Sequence, residues 1–563
     1  MNTFWYGLIV ASSVACSATE PRFDEALRST PATGLRRGDG CGAPSTPLHA
    51  VQGDGDVSPL AGRSVTVEGV VTAVFPGSDQ LGGFFLQSQA FDAQTRTSEG
   101  VFVFEGAESS QLEAGQRVRV TGRVSEFYGL TQLNELERVS VCGDAESAPV
   151  ALPWPPASSD TLEAFEGMLV RVAPPLTLSD SYRLERFGEL SLSPQRRFVA
   201  SDGAATSSGA SLSVDDGVQD ESAWPIALLP DAAPPRLGDE IMGLTGVLSY
   251  AYGRYVLLPT EPLAWNRRSR PLAPRLSGNF AVAALNLDNY FVTLGARGAA
   301  SEGERERQRS KLGALITGLD ADLVALTELE NDGGAAAEDL VRAAAQAGAL
   351  GSYRVASTPS GAGSDAIRSG LLYRPERLTP VAAAELELDP AFRRPPLVQR
   401  FDVRGFALTV IVVHLKSKRC EEPSETSCGD AARLAESHAL VDIARRRSLE
   451  PGTDGVLLLG DFNAYPHEEP IQEIVREGFD EFLADVPAAE RYSYVFDGAA
   501  GLLDHAFGSL SLSRRLRGAA IWHVNADESS LLDYRLDNPP ELFQPDAFRS
   551  SDHDPIVLSF DLP

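Results

Sequence analysis

Polar residues stand at the ends of apolar runs throughout the last third of this sequence. Phe280 to Leu285 runs into Asn286 and Asp288, and Leu323 to Thr327 into Glu328. Thr409 to Val413 runs into His414, and Val456 to Gly460 into Asp461 and Asn463. Leu502-Leu503 runs into Asp504 and His505, and Asp552-His553 precedes the apolar stretch from Ile556. One such residue is commonly a cap or a turn. Six positions of this kind, all Asn, Asp, Glu or His, predict a site built where buried strands end. Oxygen donors without thiolates suit a hard cation such as Mg²⁺ or Mn²⁺. His414 and His553 could handle protons and phosphate oxygens, and Asp504 could orient one imidazole. The chemistry predicted is metal-assisted hydrolysis of a phosphoester.

The elements that must position these residues follow from periodicity. Phe280–Leu285, Leu323–Leu326, Phe406–Val413 and Val456–Leu459 read as strands of the kind buried on both faces. Residues 304–319 carry helical spacing through Leu312, Leu315, Ile316 and Leu319, and the Ala-rich 334–347 reads as a second helix. The domain from 271 to 563 is therefore α/β. Ahead of it, short alternating strands separated by Gly and polar turns suggest small barrels. A faint repeat at an offset of 124 aligns Thr121-Gly122 with Thr245-Gly246 and Tyr128-Gly129 with Tyr252-Gly253. It predicts two successive small β domains, 41–150 and 151–270, with Ala204 to Gly217 as a loop in the second.

The chain has 563 residues, enough for two to four domains. Its net charge of −29 argues against a protein that coats DNA through bulk positive charge. Only three lysines occur, and two of them, Lys416 and Lys418, follow His414. A strand period of two would put both on the face of His414, bordering a substrate phosphate. Met1 to Ala15 reads as an export signal, with residues 16–40 a linker. Cys16 resembles a lipoprotein cysteine and so a lipid anchor. No later run is long enough to cross a bilayer. The other four cysteines allow three connectivities, of which Cys41–Cys142 and Cys420–Cys428 is the simplest. No CxxC pair supports a zinc site instead.

The segments LNLDN, ALTELEND, VVHLKSK, GDFNAY and SSDHDP resemble the endonuclease/exonuclease/phosphatase superfamily. SDAIRSGLLYRP, GDFNAYPHEEPI and IWHVNADES, with HAVQGDGDVSPLAG and GFFLQ near the N-terminus, are similar to its bacterial extracellular nuclease branch, whose members carry an N-terminal OB-type domain. The resemblance implies a four-layer αββα sandwich preceded by an OB-type domain, and with the repeat the expectation is two OB-like barrels. It implies Asn286, Asp288, Glu328 and Asp552 on the metal side. Asp461 and Asn463 would stabilise the attacking water and phosphoryl oxygens, and His414 would contact the phosphate or protonate the leaving group. His553, paired with Asp504, would be the general base. It also implies products with 5′-phosphate and 3′-hydroxyl ends. Thr327 departs from many relatives, which have Gln there.

The reading is an exported nuclease acting on DNA with Mg²⁺, Mn²⁺ or Ca²⁺ serving in its place. The alternatives are a phosphoesterase on lipid head groups, as in the sphingomyelinase relatives, and a non-catalytic surface protein on the same fold.

Overall fold

The computed structural model describes residues 36–37 and 40–563, apart from 93, 95, 107–110, 159, 200–210, 219–220, 222–223, 230–232, 358–362 and 421–427. The signal at 1–15, Cys16 and most of the linker lie outside the described residues. The chain divides into two compact units, Met1–Ser147 and Ala148–Pro563.

In the first unit, Ser64–Phe75 pairs with Gly83–Gln87, which pairs with Gly100–Phe104. That strand runs parallel to Leu130–Asp144, which pairs with Gln116–Phe127, and Gln116–Phe127 pairs back with Ser64–Phe75. The ring is a closed five-stranded barrel. Alternation fills it: Val118, Val120 and Val124 are buried while Arg119 and Arg123 face outward. Cys41 and Cys142 are bridged, which ties the entry of the barrel to its last strand.

The second unit opens with a nine-stranded sheet between Val150–Ala151 and Trp265–Asn266. Among the described residues its strand order has two ends, where the first segment forms a ring. Leu212–Val214, inside the stretch expected to be a loop, is instead a strand between Leu190–Ser193 and Arg254–Pro259. Its buried Leu212 and Val214 supply the reason. The repeat corresponds to equivalent hairpins. Gln116–Phe127 turns into Leu130–Asp144 through Tyr128 (φ 50°) and Gly129 (φ 93°). Leu244–Ala251 turns into Arg254–Pro259 through Tyr252 (φ 52°) and Gly253 (φ 77°). Positive φ at both central residues is what a two-residue type I′ hairpin needs, and Gly accepts it without penalty.

The α/β domain is a four-layer αββα sandwich. Its main elements are β1 (Phe280–Tyr290), α1 (Glu302–Leu319), β2 (Leu323–Glu330), α2 (Ala335–Gln346), β3 (Arg354–Val355), β4 (Ile367–Tyr373), β5 (Leu397–Val403) and β6 (Phe406–His414). They continue with α3 (Asp430–Ser448), β7 (Gly455–Asp461), α4 (Glu469–Arg476), β8 (Asp504–Gly508), β9 (Leu516–Ile521) and β10 (Ile556–Phe560). One sheet has the order β3-β4-β2-β1-β10-β9, and the other centres on β5-β6-β7-β8. Each is built around a parallel pair, β1 with β2 and β6 with β7. The helix after the first strand of each pair carries the chain back, as parallel pairing requires. The sheets face each other across one apolar core that includes Val282, Ala325, Val410, Leu457 and Leu558. Helices α1 and α2 cover the outer face of the first sheet, with Leu312, Leu315 and Leu340 buried against it. Helices α3 and α4 cover the second through Leu440, Ile443 and Ile471. Helix α1 starts where Ser301 Oγ accepts from Glu304 N (3.3 Å) and Glu304 accepts from Ala300 N (2.7 Å), a reciprocal cap.

Candidate active site

The strands run further than their apolar runs. Asn286, Glu328, His414 and Asp461 lie inside β1, β2, β6 and β7, at their carboxyl ends. Register does the alignment. His414 is the partner of Asp461, and Asp461 is the partner of Asp504, so three adjacent strands present three side chains in a row. On the facing sheet Asn286 pairs with Thr327. Beyond that pair the ladder slips, between Asn286 and Tyr290 on β1 and between Leu326 and Leu329 on β2. Such irregularities re-aim side chains at strand ends. Asp288 (φ 49°), Asn289 (56°), Glu328 (60°) and Asn463 (49°) all take left-handed backbone there. Asn and Asp tolerate that region, but for Glu328 it is a strain of the kind concentrated at functional sites.

The side chains converge. Asn286 Nδ2 donates to Glu328 Oε1 and Asp461 Oδ2, each at 3.2 Å. Asp461 Oδ1 accepts from Asn463 N (2.8 Å), and Asn463 Nδ2 donates to Leu415 O and Asp461 Oδ2 (both 3.2 Å). His414 Nε2 stands 3.5 Å from Asp461 Oδ2 and 3.9 Å from Glu328 Oε1. His553 Nδ1 and Asp504 Oδ2 are 2.7 Å apart. His414, Asp461, Asp504 and His553 are buried, whereas Asp288, Glu328 and Asp552 are half-buried at the rim.

The electrostatics separate the two histidines. Burial lowers both, but at His553 the carboxylates of Asp504, Asp552 and Asp461 outweigh it and hold the imidazole well above its ordinary value. At His414 burial is reinforced by Arg394 and His553, so this ring is kept neutral. Burial and the neighbouring carboxylates of Asp552 and Asp288 push Glu328 up to about 7. Burial and Asp552 push Asp288 to about 7, and burial pushes Asp461 to about 6 against the pull of His553. Acids held from ionising by burial first and by neighbouring carboxylates second would be relieved by a cation among them. Glu328, His414 and Asp461 offer ligand atoms within 4.8 Å of one another, and so do Asp461, Asp504 and His553. This donor set fits a hard divalent cation.

Two expectations change. Strand alternation does not reach Lys416 and Lys418, because β6 ends at His414. Lys416 Nζ donates to the carbonyls of Ser417 (3.3 Å) and Arg419 (3.1 Å), and Lys418 Nζ to Glu468 Oε1 (2.5 Å) and Oε2 (2.7 Å). His505, on the opposite face of β8 from Asp504, is a buried structural histidine held by Glu481 and Ala464 O (both 2.9 Å). The Cys420–Cys428 bridge is formed.

Supporting residues that the sequence reading did not single out hold the dyad. Ser493 Oγ accepts from Asp504 N (3.2 Å). Asn525 Nδ2 donates to His553 O (2.7 Å), and its Oδ1 accepts from Ser550 N (2.9 Å). Asp554 Oδ1 accepts from Asn525 N (2.8 Å) and Ala526 N (2.9 Å), while Oδ2 faces His523 Nδ1 at 2.8 Å. Arg394 Nε donates to His414 O (3.0 Å). The 523–528 loop is in turn gripped by the nine-stranded segment. Arg196 hydrogen-bonds Asp527, and Arg236 hydrogen-bonds Glu528 and His523 O (3.0 Å). Leu237 N donates to Asp527 O (2.9 Å). Burial pushes Asp527 up, and Arg196 more than offsets it, leaving the carboxyl below its ordinary range. The hints lay in IWHVNADES, but nothing local there announces the partners.

Residues 153–267 match a family described as a domain of unknown function (DUF8508). Solved structures similar to half of this chain include D. rerio TDP2 in complex with a single-strand DNA product (14% identity, 99% of that chain, TM-score 0.36). They also include the human Nocturnin catalytic domain with sulfate (16%, 94%, 0.35) and a Bacteroides thetaiotaomicron mannosyl-6-phosphatase (15%, 100%, 0.37). No curated protein matches the chain. Residues 284–553 match the model of the Endonuclease/Exonuclease/phosphatase family. From Asn286 to His553, then, the converging side chains belong to a domain of the endonuclease/exonuclease/phosphatase family.

Proposed function

We propose that the protein is an exported, divalent-metal-dependent nuclease that hydrolyses phosphodiester bonds of DNA. The observation that carries this reading is the His553–Asp504 pair set against the carboxylates of Asp461 and Glu328 at the mouth of two strand bundles. Glu328, Asn286 and Asp461, with Asp288 and Asp552 at the rim, would hold the cation. Bound there, it would supply charge stabilisation for the phosphoryl oxygens and the leaving oxygen. Once the charge of Asp552 and Asp461 is offset, Asp504 alone still raises His553, and the ring can serve as a base for the proton of an attacking water. Asp504 fixes its Nδ1 and stabilises the imidazolium that forms. His414, kept neutral, suits a hydrogen-bond contact to a phosphoryl oxygen better than proton donation to the leaving group. Asn463 presents its amide at the same place.

The barrel of the first unit has the connectivity expected of an OB-type domain, which supports assigning it a nucleic-acid or spacer role. Two disulfides support export. The test is degradation of plasmid DNA with Mg²⁺ and with EDTA, by the wild type and by His553→Ala and Asp461→Ala. Activity that persists in EDTA, or in either variant, overturns the reading.

A further inference from the structure

On the segment that leads to Asp504, Gly501 and Leu502 line a cavity of about 500 Å³, within the roughly 300–1,000 Å³ range of small-ligand sites. A row of rings leads into it. Tyr494 has its ring centre 4.6 Å from that of His553. Tyr494 and Gly501 are register partners on the hairpin of Tyr494–Phe496 and Ala499–Gly501, so they face the same side. A Cβ on Gly501 would stand 2.3 Å from Tyr465 Cε1, so glycine there lets the Tyr465 ring lie against the hairpin. His467 stacks with Tyr465 at 13° and 6.0 Å between centres, and both line the cavity.

A further wall comes from the segment of unknown function. Strand Arg197–Phe198 runs parallel to Ala499–Ala500, and Phe198 and Val199 line the cavity. Arg491 also lines it, its Nη1 anchored on Ala484 O at 2.7 Å. Six of the eleven lining residues are aliphatic, and the rings of Phe198, Tyr465 and His467 and the guanidinium of Arg491 supply the rest beside Gly501. An acyl chain could lie on the aliphatic part but would leave the guanidinium of Arg491 without an anionic partner. A flat base on a charged backbone matches both the rings and the cation.

We propose that this cavity is a stacking site for an unpaired nucleobase flanking the scissile phosphate, built jointly by the family domain and the nine-stranded segment. The proposal rests on the phosphodiester reading above and gives the segment of unknown function a share in substrate selection.

The test uses the full chain in EDTA, where binding is measured without cleavage. Single-stranded oligonucleotides carry 2-aminopurine at successive positions, and quenching of its emission reports stacking. The expected result is quenching at one position. Phe198→Ala and His467→Ala should each weaken binding about tenfold, while His467→Phe retains it. An oligonucleotide abasic at the quenched position should bind wild type and variants alike. If the wild type cleaves DNA with Mg²⁺ but both alanine variants bind and quench as it does, the stacking site is overturned and the nuclease reading stands. If the wild type neither binds nor cleaves DNA, both fall.

Discussion

The barrel of residues 64–144 closes upon itself, whereas the sheet of residues 150–266 is accompanied by a strand, Arg197–Phe198, that joins a hairpin of the family domain. The two segments share a Tyr-Gly hairpin turn with the same backbone signs. They differ in what their charged residues do. In the barrel, Arg119 meets Glu68 within the same unit, at 3.1 Å. In the second segment Arg196 and Arg236 reach across to Asp527 and Glu528 on the loop that holds His553. Similar hairpins can therefore serve a self-contained module or a structural part of an enzyme. The decision rests on where side chains between the strands find partners.

Removing each segment gives the largest expected contrast. A fragment of 148–563 should fold and cleave DNA with a kcat close to that of the full chain. A fragment of 271–563 exposes the Asp527–Glu528 loop and should lose activity altogether. Comparable kcat for both fragments would erase the distinction.

Cys41→Ser/Cys142→Ser removes a bridge that closes a loop of 101 residues. On the chain-entropy model this costs about 4–5 kcal/mol, and it should fall on the barrel alone. Two unfolding transitions by calorimetry, the lower one shifted, with kcat unchanged, is the expected outcome. A matching loss of kcat would tie the barrel to the site.

Arg236→Ala leaves Glu528 buried without its closest cation, a change that typically costs about 3–5 kcal/mol. Because Arg270 also meets Glu528 at 2.8 Å, the lower end is expected. Here the loss should appear in the transition of the second unit and in kcat together, since Asn525 in that loop holds the His553 carbonyl. Stability lost with kcat intact would reduce the segment to a scaffold.

The smallest effect concerns Asp215, which burial pushes up to about 7. The folded state then keeps a proton that the unfolded chain releases, so stability falls as pH rises from about 4 to about 7. Asp215→Asn can still accept from Gly217 N and carries no charge. It should leave the melting temperature unchanged at pH 4 and raise it at pH 8, by less than the full shift would give because Asp215 is only half-buried. A gain at pH 4 as large as that at pH 8 would assign it to packing instead.

Local pattern alone determined much of this protein. Apolar runs ending in Asn286, Glu328, His414 and Asp461 marked the strands and the site together, because a buried strand tolerates such residues only where it leaves the core. The Tyr-Gly pairs marked a repeat, and only the structure showed each of them to be a hairpin turn, where Gly accepts positive φ without penalty. Tertiary structure decided what depends on where strands stop and what lies across them. Lys416 and Lys418 left the face of His414 because β6 ends there. Leu212–Val214 became a strand within a stretch whose composition reads as loop, because its neighbours bury it. Arg196 and Asp527 are 331 residues apart in sequence, beyond the reach of any helical or strand period. Ser493, Asn525 and Asp554 act through backbone groups of the dyad and its loop. Their types are common in turns, so only the fold distinguishes them from ordinary caps.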